Sequence, residues 1–195
     1  FQKGSLHADA YKWRDDPTLN AGGLLHDAGV HQYSTAMRWI GKDIGTVTGM
    51  ITPNRDNYRM ELPAAVVWRF RHSNCMGVYE YVSAPQMAIR GRYVTADDYF
   101  EIHGEKGSIH VTRCSGELRD LPPVIVNTGT GDVGYDVPSD WMDSFRGAAS
   151  DFVDSIIDDR QPDIDAEFSF KTIQVALAIY ESASTGLTVE VASIN

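Results

Sequence analysis

The spacing of apolar residues changes twice along the chain, which divides it into a helical beginning, a β-rich middle and a helical end. From Leu24 to Ile40 the apolar residues recur three and four positions apart, as they do on one face of an α-helix. Gly41 follows, at the position where a left-handed C-cap is favoured. Residues 5–14 are predicted to be extended, and the segment ends at Asp15-Asp16-Pro17, where proline disfavours a helix before it.

The middle of the chain is rich in β-branched and aromatic residues, and turn-forming residues separate its apolar runs. Hairpin turns are predicted at Ser73-Asn74 and at Gly104-Glu105-Lys106-Gly107, where glycine permits a positive φ. The predicted strands are Ile44–Thr52, Glu61–His72, Cys75–Ser83, Tyr99–His103, Ser108–Thr112 and Val124–Asn127.

Two further helices are predicted near the end of the chain, with Ser139 and Asp165 as their N-caps. Gly186 ends the second helix, and Leu187–Val191 is predicted to be a last strand. The predicted core-facing residues are Trp141, Phe145, Ala148, Phe152 and Ile156 on the first helix, and Ile173, Ala176, Leu177 and Tyr180 on the second. We therefore predict one α+β domain over residues 1–195, with a predominantly antiparallel open sheet and helices packed on one face.

Charge and composition exclude several classes of protein. The 17 Lys and Arg residues against 27 Asp and Glu residues give a net charge of −10, which argues against nucleic acid or an anionic membrane as a partner. The apolar runs are too short to span a bilayer, and no signal-peptide pattern is present. Cys75 and Cys114 form no metal-binding motif and are predicted to be free thiols, so we expect a reducing, cytoplasmic location. The chain begins at Phe1 and not at Met, so we expect that upstream residues, with any export signal, have been removed.

A glycine motif near residue 130 suggests a dinucleotide site at first sight. The segment 129–134 (GTGDVG) matches GxGxxG and follows the strand-like VIVN. A dinucleotide site needs a helix directly after the glycines, so that amide groups meet the pyrophosphate. The sequence Tyr135-Asp136-Val137-Pro138 cannot begin such a helix. We therefore predict a glycine-rich surface loop.

The pair Asp27 and His31 is the stronger candidate for chemistry. The two residues are four positions apart and share one helix face, so the carboxylate can orient the imidazole and raise its basicity. Gly22-Gly23 before them would let a ligand approach the backbone closely. A solvated ion pair is the open alternative. His26 points off this face, so we predict no metal site.

The segment Lys12-Trp13-Arg14 is a candidate for substrate binding. Arginine binds carboxylates through paired hydrogen bonds, and tryptophan stacks on sugar rings. The alternative, equally favoured by spacing alone, is a strand end whose long charged side chains reach solvent.

Three blocks of sequence, taken together in order, resemble the C-terminal domain of the Gfo/Idh/MocA oxidoreductases. They are GGLLHDAGVHQYSTAMRWIG, FEIHGEKGSIHV and DFVDSIIDDRQPDIDAEFSFKTIQVALAIYESASTGLTVEV. The resemblance implies a fold similar to the C-terminal domain of glyceraldehyde-3-phosphate dehydrogenase. It also implies a parent enzyme whose N-terminal Rossmann domain, missing from this chain, binds NAD or NADP and supplies a catalytic lysine.

The resemblance assigns roles to residues of this chain. His31 and Asp27 match the catalytic pair, and we expect Lys12, Trp13, Arg14 and Gly23 to contact the substrate, a sugar, sugar derivative or cyclic polyol such as an inositol. We expect no cofactor in this chain, no activity from it alone, and a homodimer or homotetramer formed through the open sheet face. Two alternatives remain: a stand-alone dimeric binding or scaffold domain, and a metal-dependent hydrolase that uses His26, Asp27 and His31.

Overall fold

The computed structural model describes residues 16, 18–19, 22–52, 63–82, 98–112 and 120–192. Three predictions lie outside the described residues: the extended segment 5–14, the substrate-binding segment 12–14 and the thiol of Cys114. Cys75 is described and forms no disulfide.

The described residues form an α+β structure with antiparallel strands, which confirms the predicted fold class. The elements in chain order are α1 (Leu24–Asp27), α2 (Gly29–Ile40), β1 (Ile44–Ile51), β2 (Ala64–Phe70), β3 (Met76–Tyr81), β4 (Phe100–Gly104), β5 (Gly107–Val111), β6 (Val124–Asn127), β7 (Asp132–Tyr135), α3 (Trp141–Ile157), α4 (Ala166–Thr185) and β8 (Val189–Glu190). None of the described helices is long and apolar enough to cross a membrane.

The contacts divide the chain into two compact units. The helical unit comprises Gly4–Ser83 and Ile164–Asn195, and the hairpin unit comprises Phe1–Lys3 and Ala84–Asp163. Each unit holds one four-stranded sheet, where the sequence suggested a single sheet. The extent of the domain, residues 1–195, stays a prediction.

The helical unit is built on a sheet with the strand order β3-β2-β1-β8. Along β2 the side chains alternate between buried and exposed, so that one face of the strand enters the core. α4 packs against β1, and α2 packs against α4. The largest fully buried side chains include Tyr33, Leu25, Ile44 and Ile179. Each fully buried aliphatic side chain contributes about 1.5–3 kcal/mol of transfer free energy.

Lys171 adds an electrostatic link between α4 and the residue before β1. Its Nζ lies 3.0 Å from Oε1 of Glu167 and 3.2 Å from Oδ2 of Asp43. Hydrogen bonds to Glu167 and then to Asp43 raise the pKa of Lys171 above its ordinary value. The link is therefore fully present at neutral pH and is lost as the pH rises through the raised pKa.

The hairpin unit contains an antiparallel sheet in the order β4-β5-β6-β7. The predicted turn between β4 and β5 is confirmed, with Gly107 at a φ of +152°. A Cβ at Gly107 would lie 1.9 Å from the carbonyl oxygen of Asn127, so the backbones of β5 and β6 touch there. Only glycine permits both the positive φ and this approach.

The predicted helix ends are correct with one exception. Gly41 and Gly186 are left-handed C-caps with φ of 69° and 72°. Asp165 caps α4, its carboxylate accepting a hydrogen bond of 2.7 Å from the amide of Phe168. The prediction that Ser139 caps α3 is wrong. Asp140 holds that position and accepts from the amide of Met142 at 2.9 Å, so α3 begins one residue later than a Ser139 cap would place it.

The predicted core face of α3 is wrong as well. Trp141, Phe145 and Phe152 are 37%, 52% and 60% exposed, and Ala148 and Ile156 are also exposed. On α4 the prediction holds in part, because Ala176 is buried and Tyr180 half-buried, whereas Ile173 and Leu177 are exposed. The buried face of α4 is formed by Thr172, Val175, Ala176, Ala178, Ile179 and Ser182. A 3.6-residue repeat identifies an apolar face but not the surface that covers it.

Candidate functional site

The Asp27–His31 segment spans a break between two helices. Asp27 is the last residue of α1, and Ala28 separates it from Gly29, the first residue of α2. The amide of His31 donates to the carbonyl of Ala28 at 3.1 Å. This hydrogen bond joins residues three positions apart, as in a 3₁₀-helix, and it tightens the first turn of α2. The imidazole of His31 is exposed and the carboxylate of Asp27 is half-buried. The predicted single helix from Leu24 to Ile40 is therefore two helices.

The glycine pair before α1 packs tightly against α4. The amide of Gly23 donates to Oη of Tyr180 at 2.8 Å. A Cβ at Gly22 would lie 2.7 Å from the Tyr180 ring, so a larger residue would displace the turn. Both glycines are buried, which gives them a packing role. The predicted contact of Gly23 with substrate stays a prediction.

Tyr33 supports the helix break from the core side. It is fully buried, and its Oη donates to the carbonyl of Leu25 at 3.4 Å. A Cβ at Gly29 would lie 2.6 Å from Oη of Tyr33, so glycine at this position makes room for the tyrosine hydroxyl. The Tyr33 ring meets Trp68 and Tyr79 edge to face at centroid distances of 6.4 and 5.9 Å. The core thus fixes the backbone on both sides of Asp27.

Tyr180 is a site residue that the sequence did not single out. Its spacing on α4 indicated only a core position, which agrees with its half-buried ring. Nothing local in the sequence indicates that its hydroxyl binds the backbone of Gly23, because the two residues are 157 positions apart.

Asp27 and His31 lie on either side of the helix break, so the predicted shared helix face is not formed by one continuous helix. An exposed imidazole such as that of His31 can take a proton from a bound hydroxyl group and return it. Within the described residues, no group of three or more His, Cys, Asp or Glu side chains could hold a metal ion. His26, Asp27 and His31 are all described, so the metal-dependent hydrolase alternative receives no support from their arrangement.

The glycine motif at 129–134 lies in a β-hairpin. Gly129 and Gly131 adopt φ of 86° and 147°, and the amide of Gly129 donates to Oδ1 of Asn127 at 2.7 Å. The chain then continues into β7, which pairs antiparallel with β6. A strand–loop–helix unit is therefore not formed here, and the segment does not fit a dinucleotide.

Comparison with known proteins identifies the fold. The family model described as the oxidoreductase family, C-terminal alpha/beta domain (Gfo/Idh/MocA) matches residues 2–191. No curated protein matches the chain.

Similar solved structures include three bacterial enzymes. An aldose-aldose oxidoreductase from Caulobacter crescentus, complexed with glycerol, has 20% identity and a TM-score of 0.66 over 91% of this chain and 50% of its own. An oxidoreductase from Agrobacterium radiobacter, in complex with NAD+, L-tartaric acid and magnesium, has 19% identity and a TM-score of 0.70 over 94% of this chain and 53% of its own. The WlbA dehydrogenase from Bordetella pertussis, in complex with NADH and UDP-GlcNAcA, has 18% identity and a TM-score of 0.66 over 96% of this chain and 53% of its own.

At this level of identity the solved structures show the shared fold, and the chain spans about half the length of each of them. The family match covers almost the entire sequence. The chain therefore belongs to the Gfo/Idh/MocA oxidoreductase family, in which it corresponds to the C-terminal alpha/beta domain.

Proposed function

We propose that this chain is the substrate-binding domain of an NAD(P)-dependent oxidoreductase that acts on a sugar, sugar derivative or cyclic polyol. The observation that carries the proposal is the exposed imidazole of His31, four residues after Asp27 and just beyond a helix break that the buried Tyr33 supports. Three structural relatives support it, since their bound molecules include glycerol, L-tartaric acid and UDP-GlcNAcA, all rich in hydroxyl groups. Two of those structures also contain NAD+ or NADH.

In this proposal the chain supplies the proton-transfer half of the reaction. NAD or NADP, held by another domain of the complete protein, would supply the hydride acceptor. Neutral His31 accepts the proton of the substrate hydroxyl as the carbon that bears it is oxidised, and in the reverse direction it returns that proton. Asp27 positions the substrate hydroxyl or the imidazole. We extend the proposal to Lys12, Trp13, Arg14 and Gly23 as substrate contacts and to a cytoplasmic location.

The test is turnover by the full-length gene product. We expect it to reduce NAD+ or NADP+ with at least one member of a panel of aldoses, uronic acids and inositols, followed by the absorbance of the reduced nicotinamide. The 195-residue chain is the matched control and is expected to give no turnover with either cofactor. Turnover by the chain alone, or no turnover by the complete protein with any polyol, would contradict the proposal. Sugar binding by the chain without cofactor, measured calorimetrically and unaccompanied by turnover of the complete protein, would favour the binding or scaffold domain.

We also propose that a second copy of the chain covers the outer face of the helical unit's sheet. Val67 on β2 and Val78 on β3 are directly paired and are 38% and 65% exposed. Met50 and Met76 are exposed as well. These side chains form an open apolar surface of the kind that a homo-oligomer buries.

The prediction for this surface is a loss of self-association when charge is introduced. Replacing Val67 and Val78 together with Glu places carboxylates where a partner would desolvate them. We expect the wild-type chain to sediment as a dimer or tetramer at micromolar concentration and the double variant as a monomer. Val133→Glu, on the exposed side of β7 in the hairpin unit, is the control and should not change the mass. A wild-type chain that is already monomeric would refute the interface.

A further inference from the structure

Four polar side chains lie together on one face of the β4–β5 hairpin, in the hairpin unit. Glu101 is paired directly with His110, and His103 is paired with Ser108. Alternation along the strands places all four on the same side of the sheet. None of them belongs to the site around His31, so the chemistry of this cluster is independent of the proposed function.

Within this Glu101–His103–Ser108–His110 cluster, the ring of His110 lies between Ser108 and Glu101. Oγ of Ser108 lies 3.0 Å from Nε2 of His110. On the other side of the same ring, Nδ1 of His110 lies 3.6 Å from Oε1 of Glu101, an ion-pair contact that is longer than a hydrogen bond. In the tautomer with the proton on Nδ1, Nε2 of His110 is the free base that faces the serine hydroxyl.

Glu101 is itself held in place by its neighbours. Nε2 of His103 lies 2.9 Å from its Oε1, and Oη of Tyr99 donates to its Oε2 at 3.3 Å. The carboxylate of Glu101 and the ring of His110 are 34% and 30% exposed, so they are partly shielded from water. A partly shielded carboxylate stabilises an imidazolium better than a fully solvated one does.

Ser108 lines a shallow cleft. The cleft is open to solvent and lies between the turn 104–107 and the segment 127–129. Ser108, His103 and Lys106 are among the residues that line it. The close approach of Gly107 to the carbonyl of Asn127 fixes the two sides of the cleft against each other. A small molecule in the cleft would therefore contact Ser108, whose hydroxyl lies 3.0 Å from Nε2 of His110.

We propose that Ser108 is an activated nucleophile that accepts the acyl group of a small ester entering this cleft. Oγ forms a bond to the ester carbonyl carbon as its proton passes to Nε2 of His110. The carbon–oxygen bond to the leaving group then breaks, and the leaving alkoxide takes the proton from His110. Glu101 stabilises the imidazolium between these two steps. The pairing of a nucleophile, a base and a group that orients the base is the general arrangement for such chemistry.

To test this proposal, the 195-residue chain is incubated with p-nitrophenyl acetate. Peptide mass spectrometry then identifies the residue that carries the acetyl group. We expect acetylation of Ser108, with a rate about 10²-fold above that of an ordinary serine, the lower end of general-base assistance. Ser108→Ala should remove the label, and His110→Gln should lower the rate to the ordinary level while circular dichroism stays unchanged. Ser144→Ala is the matched control, since this exposed serine donates to the backbone carbonyl of Trp141 and should not affect the rate.

Two results would overturn the proposal. One is an acetyl group found only on lysines or on the N-terminal amine. The other is a rate of acetylation at Ser108 that does not change in a folded His110→Gln variant, since the hydroxyl would then react without its base. Either result is independent of turnover with a nicotinamide cofactor and leaves the proposed function untouched.

Discussion

Replacing His31 with alanine is expected to lower kcat of the full-length oxidoreductase by about 10²- to 10⁴-fold, which is the usual contribution of a general base. The imidazole is exposed, so its removal should leave the fold intact. KM should change little, because the lost interaction develops as the proton moves. The measurement is steady-state formation of reduced nicotinamide with the best polyol of the panel.

His26→Ala is the matched control for the His31 variant. His26 is an imidazole of the same segment, immediately before Asp27, and we expect its replacement to retain most of the activity. Asp27→Asn keeps the shape of the carboxylate and removes its charge, and it should lower kcat less than His31→Ala does. If His31→Ala retained the wild-type kcat, the proton-transfer role would be refuted even if the polyol specificity were correct.

Replacing Tyr33 with alanine is expected to destabilise the chain by about 3–5 kcal/mol, as for other large aromatic residues removed from a core. Tyr33 is fully buried, forms edge-to-face pairs with Trp68 and Tyr79 and donates a hydrogen bond to the carbonyl of Leu25. Its loss leaves a cavity under the break between α1 and α2. The measurement is the free energy of unfolding from urea denaturation followed by circular dichroism.

Two further variants separate the contributions at Tyr33. Tyr33→Phe removes only the hydroxyl and should cost about 1 kcal/mol, the value of one ordinary hydrogen bond. Tyr135→Ala, on an exposed position of β7, should change stability by less than about 0.5 kcal/mol. A Tyr33→Ala variant as stable as the Tyr135→Ala variant would show that the tyrosine does not support the helix break.

The sequence was most informative where a single residue type determines the backbone. Gly41 and Gly186 end their helices in the left-handed region, and Asp165 caps α4 through its carboxylate, as predicted. The strands were found because alternation and turn residues act over a few neighbouring positions. Val124–Asn127 has the predicted bounds.

The features that the sequence could not provide depend on distant contacts. The break at Ala28 follows no proline and interrupts a continuous helical pattern, and the buried Tyr33 beside Gly29 accompanies it. The apolar face of α3 looks the same in the sequence whether it is covered or exposed. The candidate pair Asp27 and His31 was found by its spacing, whereas the tyrosine that holds the turn before it, Tyr180, belongs to a helix far away in the sequence.

The hydrogen bond between the amide of Gly23 and the hydroxyl of Tyr180 also has a consequence for the order of folding. It closes a loop of 157 residues, a separation that makes loop closure slow relative to the formation of either helix. During synthesis, the turn before Asp27 has no tyrosine to bind until α4 has left the ribosome. A nascent chain that stops before Tyr180 therefore lacks this anchor for the segment that carries His31.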